Sequence, residues 1–144
     1  ARAAGGSDEQ TAALDHFGRR LGLAFQIVDD ILDFAGDPDV FGKTLGQDVV
    51  EGTVTLPLTY AIELDPTLKG DVSALVDAFH EGDGESFDAT DIIARVQRSG
   101  AVTRARARAI EVTEEALGSL NELPASPYRE ALSLLGASLI DRAS

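Results

Sequence analysis

Leu21-Gly22-Leu23-Ala24-Phe25-Gln26-Ile27-Val28-Asp29-Asp30-Ile31-Leu32-Asp33-Phe34 is the stretch that decides the fold. Its residues recur with helical rather than alternating spacing, so it reads as a helix. On a wheel of about 100° per residue with Asp29 at the origin, Asp33 falls at about 40°, Gln26 at about 60° and Asp30 at about 100°. Gly18 and Gly22 fall within about 20° of Asp29, one on either side, so they share its stripe. Among the other positions are Leu21, Leu23, Ala24, Ile27, Val28, Ile31, Leu32 and Phe34. A helix apolar nearly all round is expected to be buried.

Three like charges on a buried stripe repel one another and lose hydration. Divalent cations resolve the conflict, because carboxylate oxygens converge on Mg²⁺ or Ca²⁺, and Mg²⁺ completes its shell with water and substrate phosphates. The alternative is that the three aspartates face solvent on an ordinary amphipathic helix; the apolar flanks weigh against it. Gly18 and Gly22 either leave room along the stripe for a ligand's tail or serve close helix packing. Gln26 is either part of that site or a surface amide.

Outward from this segment, helical periodicity dominates and strand signals are weak. Ser7 and Gln10 form a capping-box pattern ahead of a helix that runs to about Phe34. Gly36-Asp37-Pro38-Asp39 breaks it, and a Gly-rich loop runs from Gly42 to about Gly52. Further helices are expected over Leu56 to Leu64, Lys69 to His80, Ala89 to Arg98 and Ala101 to Leu123. A last one runs from Ser126-Pro127 to Arg142. The expected fold class is all-α, a bundle of about six helices. Residues 1–6 read as the end of an earlier helix and its turn, as in a piece of something larger. Phe79 and Phe87 read as core. Arg95, Arg98, Arg104, Arg106 and Arg108 read as exposed helix faces paired with nearby acids.

The loop holds Phe41-Gly42-Lys43-Thr44-Leu45-Gly46-Gln47-Asp48, then Glu51-Gly52-Thr53-Val54-Thr55-Leu56-Pro57. Gly42 and Gly46 permit close backbone approach to a ligand or to another helix. Lys43 is a candidate phosphate contact or a solvated lysine. The Gly-Lys-Thr lacks the upstream strand and first glycine of a Walker-type loop. Asp48 reads either as a helix N-cap or as a carboxylate supporting the site from behind.

Composition limits the chemistry. The 144 residues are 44% hydrophobic and 26% charged, as in an ordinary globular domain. There is no cysteine and there are two histidines, so a metal here is held mainly by oxygen. The net charge of −13 argues against nucleic acid, which needs a basic surface. An anionic ligand stays possible if cations bring the positive charge. No apolar run reaches the roughly 18 residues of a membrane span, and the first residues hold no signal core, so the chain reads as cytoplasmic.

Phe25-Gln26-Ile27-Val28-Asp29-Asp30-Ile31-Leu32-Asp33, then Gly42-Lys43-x-x-Gly46-x-Asp48 and Gly52-x-x-Thr55-Leu56-Pro57, closely resembles the second signature of the trans-type polyprenyl (isoprenyl) diphosphate synthases. Gly100, the Ala-rich helix to Leu123-Pro124, Ser126-Pro127-Tyr128-Arg129 and Arg142 are similar to that family too. The resemblance implies an all-α prenyltransferase fold around a central cavity, usually dimeric, with residues 1–144 as the C-terminal part of a polyprenyl synthetase domain. It implies Mg²⁺ as cofactor, with Asp29 and Asp33 as metal ligands and Asp30 as a ligand or its supporting partner. Lys43 would bind the allylic diphosphate, Asp48 would belong to the substrate site, and Phe25 and Gln26 would line the isopentenyl diphosphate site. The implied reaction ionises an allylic diphosphate, which the isopentenyl double bond then attacks. Two departures stand out. Thr53 stands where many members have Lys, and the first Asp-rich motif is not in this sequence. The expected partners are therefore a second copy or an N-terminal half, with the chain alone inactive. The alternative is a non-catalytic helical subunit or interaction module of a heteromeric prenyl synthase.

Overall fold

The computed structural model describes residues 1–35, 45–82 and 88–143, and among these every regular element is a helix. A 3₁₀ turn at Arg2–Ala4 precedes α1 (Asp8–Ala35), α2 (Gln47–Val50), α3 (Leu56–Leu64), α4 (Leu68–Glu81), α5 (Thr90–Arg98), α6 (Ala101–Ser119) and α7 (Pro127–Ala143). The all-α expectation is met. The Gly36–Asp39 break lies outside the described residues. Two details differ: the Gly-rich loop contains the short α2, and the helix expected to reach Leu123 tightens into a 3₁₀ turn at Leu120–Glu122.

Helix ends follow local chemistry. The Ser7 N–H donates to Gln10 Oε1 at 3.1 Å and the Gln10 N–H to Ser7 Oγ at 3.2 Å, a reciprocal capping box that starts α1. Ser126 Oγ accepts the Arg129 N–H at 3.2 Å, and Pro127 follows at the first helical position of α7.

Two compact units divide the chain. The first comprises Ala1–Val28 and Arg106–Ser144. Its core joins Phe17 of α1 to Ala116 and Leu120, with Leu21, Leu117, Leu123 and Leu132 packed around them. Leu117 packs where a Cβ on Gly136 would stand, its Cδ2 only 2.6 Å away, so glycine lets α7 approach α6 closely. Arg20 and Glu115 pair at 3.1 Å.

The second unit is Asp29–Ala105. Phe34, Val49, Leu58, Leu68, Leu75, Ile92 and Val96 form its core, and α3, α4 and α5 pack on one another. Burying each such large side chain contributes about 1.5–3 kcal/mol. Gln97 Nε2 donates to the Phe34 carbonyl at 2.8 Å and so satisfies an otherwise orphaned acceptor at the end of α1. Arg95 forks between Asp65 and Asp71 and also donates to Thr67, tying the α3–α4 corner to α5. Arg104 pairs with Glu63 at 2.6 Å and lies 4.0 Å from the centre of the Tyr60 ring.

Two expectations are corrected. Phe79 is 46% exposed, not core, and its ring lies beside Gly52; Phe87 lies outside the described residues. Leu23 and Phe25 of α1, on different sides of the helix, are 43% and 46% exposed, so α1 is not buried all round among the described residues. No described helix is long and apolar enough to cross a membrane.

Candidate functional site

Asp29, Asp30 and Asp33 occupy the last two turns of α1, and their side chains go to different places. Asp29 is exposed, with no hydrogen bond or ion pair among the described residues. Asp30 is half-buried, and its Oδ2 accepts the Leu56 N–H of α3 at 3.4 Å. Burial pushes its carboxyl above the usual carboxylate range; the Leu56 N–H opposes the rise, and the charges of Asp48, Asp29 and Asp33 add to it.

Asp33 is bound to backbone. Its Oδ1 accepts the Gln47 N–H at 2.9 Å and its Oδ2 the Asp48 N–H at 3.2 Å. Its carbonyl accepts the Gly46 N–H at 2.7 Å. Three consecutive donors at the start of α2, which have no partner within a helix, are thus satisfied by one residue of α1.

The segment after α1 is anchored by two glycines in left-handed conformation. Gly46 has φ 75°, and a Cβ there would stand 2.5 Å from Ile93 Cγ1 on α5. Gly52 has φ 72°, and its Cβ would stand 3.1 Å from the Phe79 ring on α4. Close approach at Gly46 is therefore to a helix. Asp48 is the second residue of α2, so the N-cap reading is corrected: Gly46 holds that position. Asp48 is half-buried, and its carbonyl accepts the Thr53 N–H at 2.8 Å. Thr53 itself is exposed. The hydroxyl of Thr55, next to the Leu56 N–H that Asp30 accepts, is buried with no hydrogen-bond partner among the described residues. Gly42 and Lys43 lie outside the described residues.

Phe25 and Gln26 are exposed one turn before Asp29 on α1. A cleft of about 420 Å³ in the first unit is lined by Gly18, Leu21, Gly22, Phe25, Leu139 and Arg142, among others. A Cβ on Gly18 or Gly22 would meet nothing within 4 Å, so these glycines face open space rather than a close helix. The Arg142 guanidinium lies 5.7 Å from the centre of the Phe25 ring. Sequence reasoning gave Arg142 no role. The available signal was its place in the C-terminal resemblance, as a basic residue in the last turn of the last helix. Among the described residues, no group of three His, Cys, Asp or Glu side chains is placed to hold a metal ion.

Residues 1–93 match the polyprenyl synthetase family. The chain belongs to that family. This polyprenyl synthetase chain is 41% identical over 137 residues to the all-trans-nonaprenyl-diphosphate synthase (geranyl-diphosphate specific) of Rhodobacter capsulatus, an alignment that covers 95% of the chain and 41% of the relative. It is 33% identical to the octaprenyl diphosphate synthase of Escherichia coli, covering 96% of the chain and 42% of that enzyme. Among solved structures, heptaprenyl diphosphate synthase from Staphylococcus aureus superimposes with a TM-score of 0.81 at 26% identity, over 96% of this chain and 42% of that one. Geranylgeranyl pyrophosphate synthase from Corynebacterium glutamicum, complexed with calcium and isoprenyl diphosphate, superimposes with a TM-score of 0.80 at 28% identity, over 100% of this chain and 44% of that one. The polyprenyl synthetase chain thus spans about two-fifths of the length of the curated relatives it matches.

Proposed function

We propose that this chain carries the second-aspartate-motif side of a prenyl-transfer site, one that condenses an allylic prenyl diphosphate with isopentenyl diphosphate and so extends an isoprenoid chain. The observation that carries the reading is Asp29: an exposed carboxylate without a protein partner among the described residues, one turn after Phe25-Gln26 in a polyprenyl synthetase chain. Relatives that are prenyl diphosphate synthases, and a solved neighbour complexed with isoprenyl diphosphate, support the substrate class.

The donor set fits Mg²⁺. That ion is typically held by one or two carboxylates plus substrate phosphates rather than by an all-protein cage. Asp29 offers the free carboxylate, with Asp30 beside it, and no three-ligand group is formed among the described residues. When bound, the cation supplies charge neutralisation for the departing diphosphate.

The chain's own residues have distinct tasks in this reading. Asp29 presents a hard anionic oxygen at the end of α1. Asp30 and Asp33 hold backbone N–H groups of the following segment. Lys43, by resemblance, contacts the allylic diphosphate. Phe25 and Gln26, by resemblance, bound the acceptor side. In the reaction the allylic carbon–oxygen bond breaks and diphosphate leaves with the bonding pair. The isopentenyl double bond then forms the new carbon–carbon bond, and a proton is lost. Thr53 brings no positive charge, so charge compensation at its position falls to other groups.

The exposed Leu23 and Phe25 on α1 and Leu134 and Leu135 on α7 support a catalytic unit completed by further helices, from an N-terminal half or a second copy. The test is a Mg²⁺-dependent assay with isopentenyl and farnesyl diphosphates, products read by mass, on the 144-residue chain alone and joined to the N-terminal half of a synthase. The expected result is no product alone and product when joined. Asp29→Ala in the joined enzyme should cut turnover on the order of 10²–10³-fold with the fold intact. If the joined protein binds neither Mg²⁺ nor diphosphates, the non-catalytic subunit reading replaces this one.

A further inference from the structure

We propose that Asp33 is a positioning residue rather than a metal ligand: it latches the start of α2 onto the end of α1 and thereby fixes the backbone from which Asp48 projects. The latch itself is independent of the prenyl-transfer reading; only its kinetic consequence rests on that reading.

Each oxygen of Asp33 takes a different N–H, that of Gln47 at 2.9 Å and that of Asp48 at 3.2 Å, and the Asp33 carbonyl takes the Gly46 N–H at 2.7 Å. The carboxylate is thus engaged edge-on by backbone, whereas Asp29, one turn earlier, has no such partner among the described residues. Helix α2 has only four residues, Gln47–Val50, and a helix of that length does not hold itself together. Within it the hydrogen bonds are local, Val50 N–H to the Gly46 carbonyl at 3.0 Å and Glu51 N–H to the Gln47 carbonyl at 2.9 Å, and Val49 is buried in the core of the second unit. Its first N–H groups have no helical partner, so a negatively charged acceptor there both satisfies them and favours the helix.

Asp48 is pinned twice through its main chain. Its N–H goes to Asp33 Oδ2, and its carbonyl takes the Thr53 N–H. The glycines on either side rest against Ile93 and Phe79. A shift of the Asp33 carboxylate therefore moves the Asp48 backbone directly. The motif Asp-Asp-x-x-Asp divides its labour: Asp29 faces outward, Asp30 holds the first residue of α3, and Asp33 holds α2.

The experiment compares Asp33→Asn, Asp33→Glu and Asp29→Asn. Hydrogen exchange is read first, on the chain without metal or substrate. Losing charge-assisted bonds in Asp33→Asn should speed exchange of the Gln47 and Asp48 amides by about 10–100-fold. Amides of α4 and α6 monitor global unfolding. Asp33→Glu is the second variant, because it keeps the charge and the capacity to bind Mg²⁺ but displaces the oxygens from the two N–H groups. It should speed the same amides. In the joined synthase, both Asp33 variants should raise KM for the allylic diphosphate by about 10-fold while the Mg²⁺ concentration for half-maximal rate stays within about 2-fold of the parent. Asp29→Asn should instead raise that Mg²⁺ concentration. The latch is overturned if Gln47 and Asp48 exchange is unchanged in both Asp33 variants. It is equally overturned if Asp33→Asn raises the Mg²⁺ requirement and Asp33→Glu restores it. Exchange is read without catalysis, so an inactive joined enzyme counts against prenyl transfer and leaves the latch to be decided by the amides.

Discussion

Gly46→Ala tests the packing of the segment that follows the carboxylates. At φ 75° an L-residue is strained by about 1–2 kcal/mol. Removing glycine's freedom from the unfolded chain returns about 0.4–1 kcal/mol. The new methyl would also stand 2.5 Å from Ile93 Cγ1, and forcing a methyl into an occupied space costs about 1–3 kcal/mol. Together these place the loss of stability at about 3 kcal/mol. The steric part has a specific partner. In an Ile93→Ala background the clashing atoms are gone, and Gly46→Ala should then cost only the backbone share, about 1 kcal/mol. The two substitutions should therefore couple by about 2 kcal/mol in a double-mutant cycle. Urea unfolding followed by circular dichroism measures this through the midpoint, with slopes checked for constancy. A loss below about 0.5 kcal/mol in the parent would refute the conformational argument. An equal loss in both backgrounds would refute the close approach to α5.

Two further substitutions test the surroundings. Asp30 has a carboxyl raised above its ordinary 3.8, so the folded chain holds that proton more tightly than the unfolded chain; stability falls as pH rises through the folded value. Asp30→Asn should accordingly raise Tm at pH 7 in chelator, with a gain that shrinks as pH falls toward 3.8; a lower Tm at pH 7 would mean the ionised form is the stabilised one. Gly22 lies exposed within α1, and an added Cβ meets nothing within 4 Å. Gly22→Ala should stabilise the 144-residue chain by about 0.8–1 kcal/mol in the same urea assay, and destabilisation would mean that another helix packs there.

Helix α3 was legible because its signals are local: Pro57 in the first turn, and Asp65-Pro66 immediately after Leu64. The carboxylate stripe was legible because helical spacing fixes which residues share a face. What spacing does not fix is where each carboxylate goes. Asp33 shares the stripe with Asp29 on the wheel, yet its oxygens reach backbone 14 and 15 residues onward. Helix α2 was illegible for the same reason. It is too short for a period, and its stabilising acceptor lies on another element. The partners of Arg95 are likewise 24 and 30 residues distant. The complete burial expected for α1 failed because apolar content describes what a helix would accept as a neighbour, not what this chain provides. Phe79 was misread in kind: an aromatic at helical spacing also serves as a rest for a neighbouring backbone.

The way α2 is held has a consequence in time. Four residues form no stable helix alone, and these depend on Asp33 of α1, on the burial of Val49 in the core, and on Ile93 of α5 and Phe79 of α4, which lie against the flanking Gly46 and Gly52. Those supports come from well-separated parts of the chain, so they must assemble before α2 has anything to stand on. Helix α2 therefore belongs on the native side of the folding barrier, where weakening it hastens unfolding and leaves the folding rate nearly untouched. The segment nearest the carboxylates is in this sense the last to form and the first to leave.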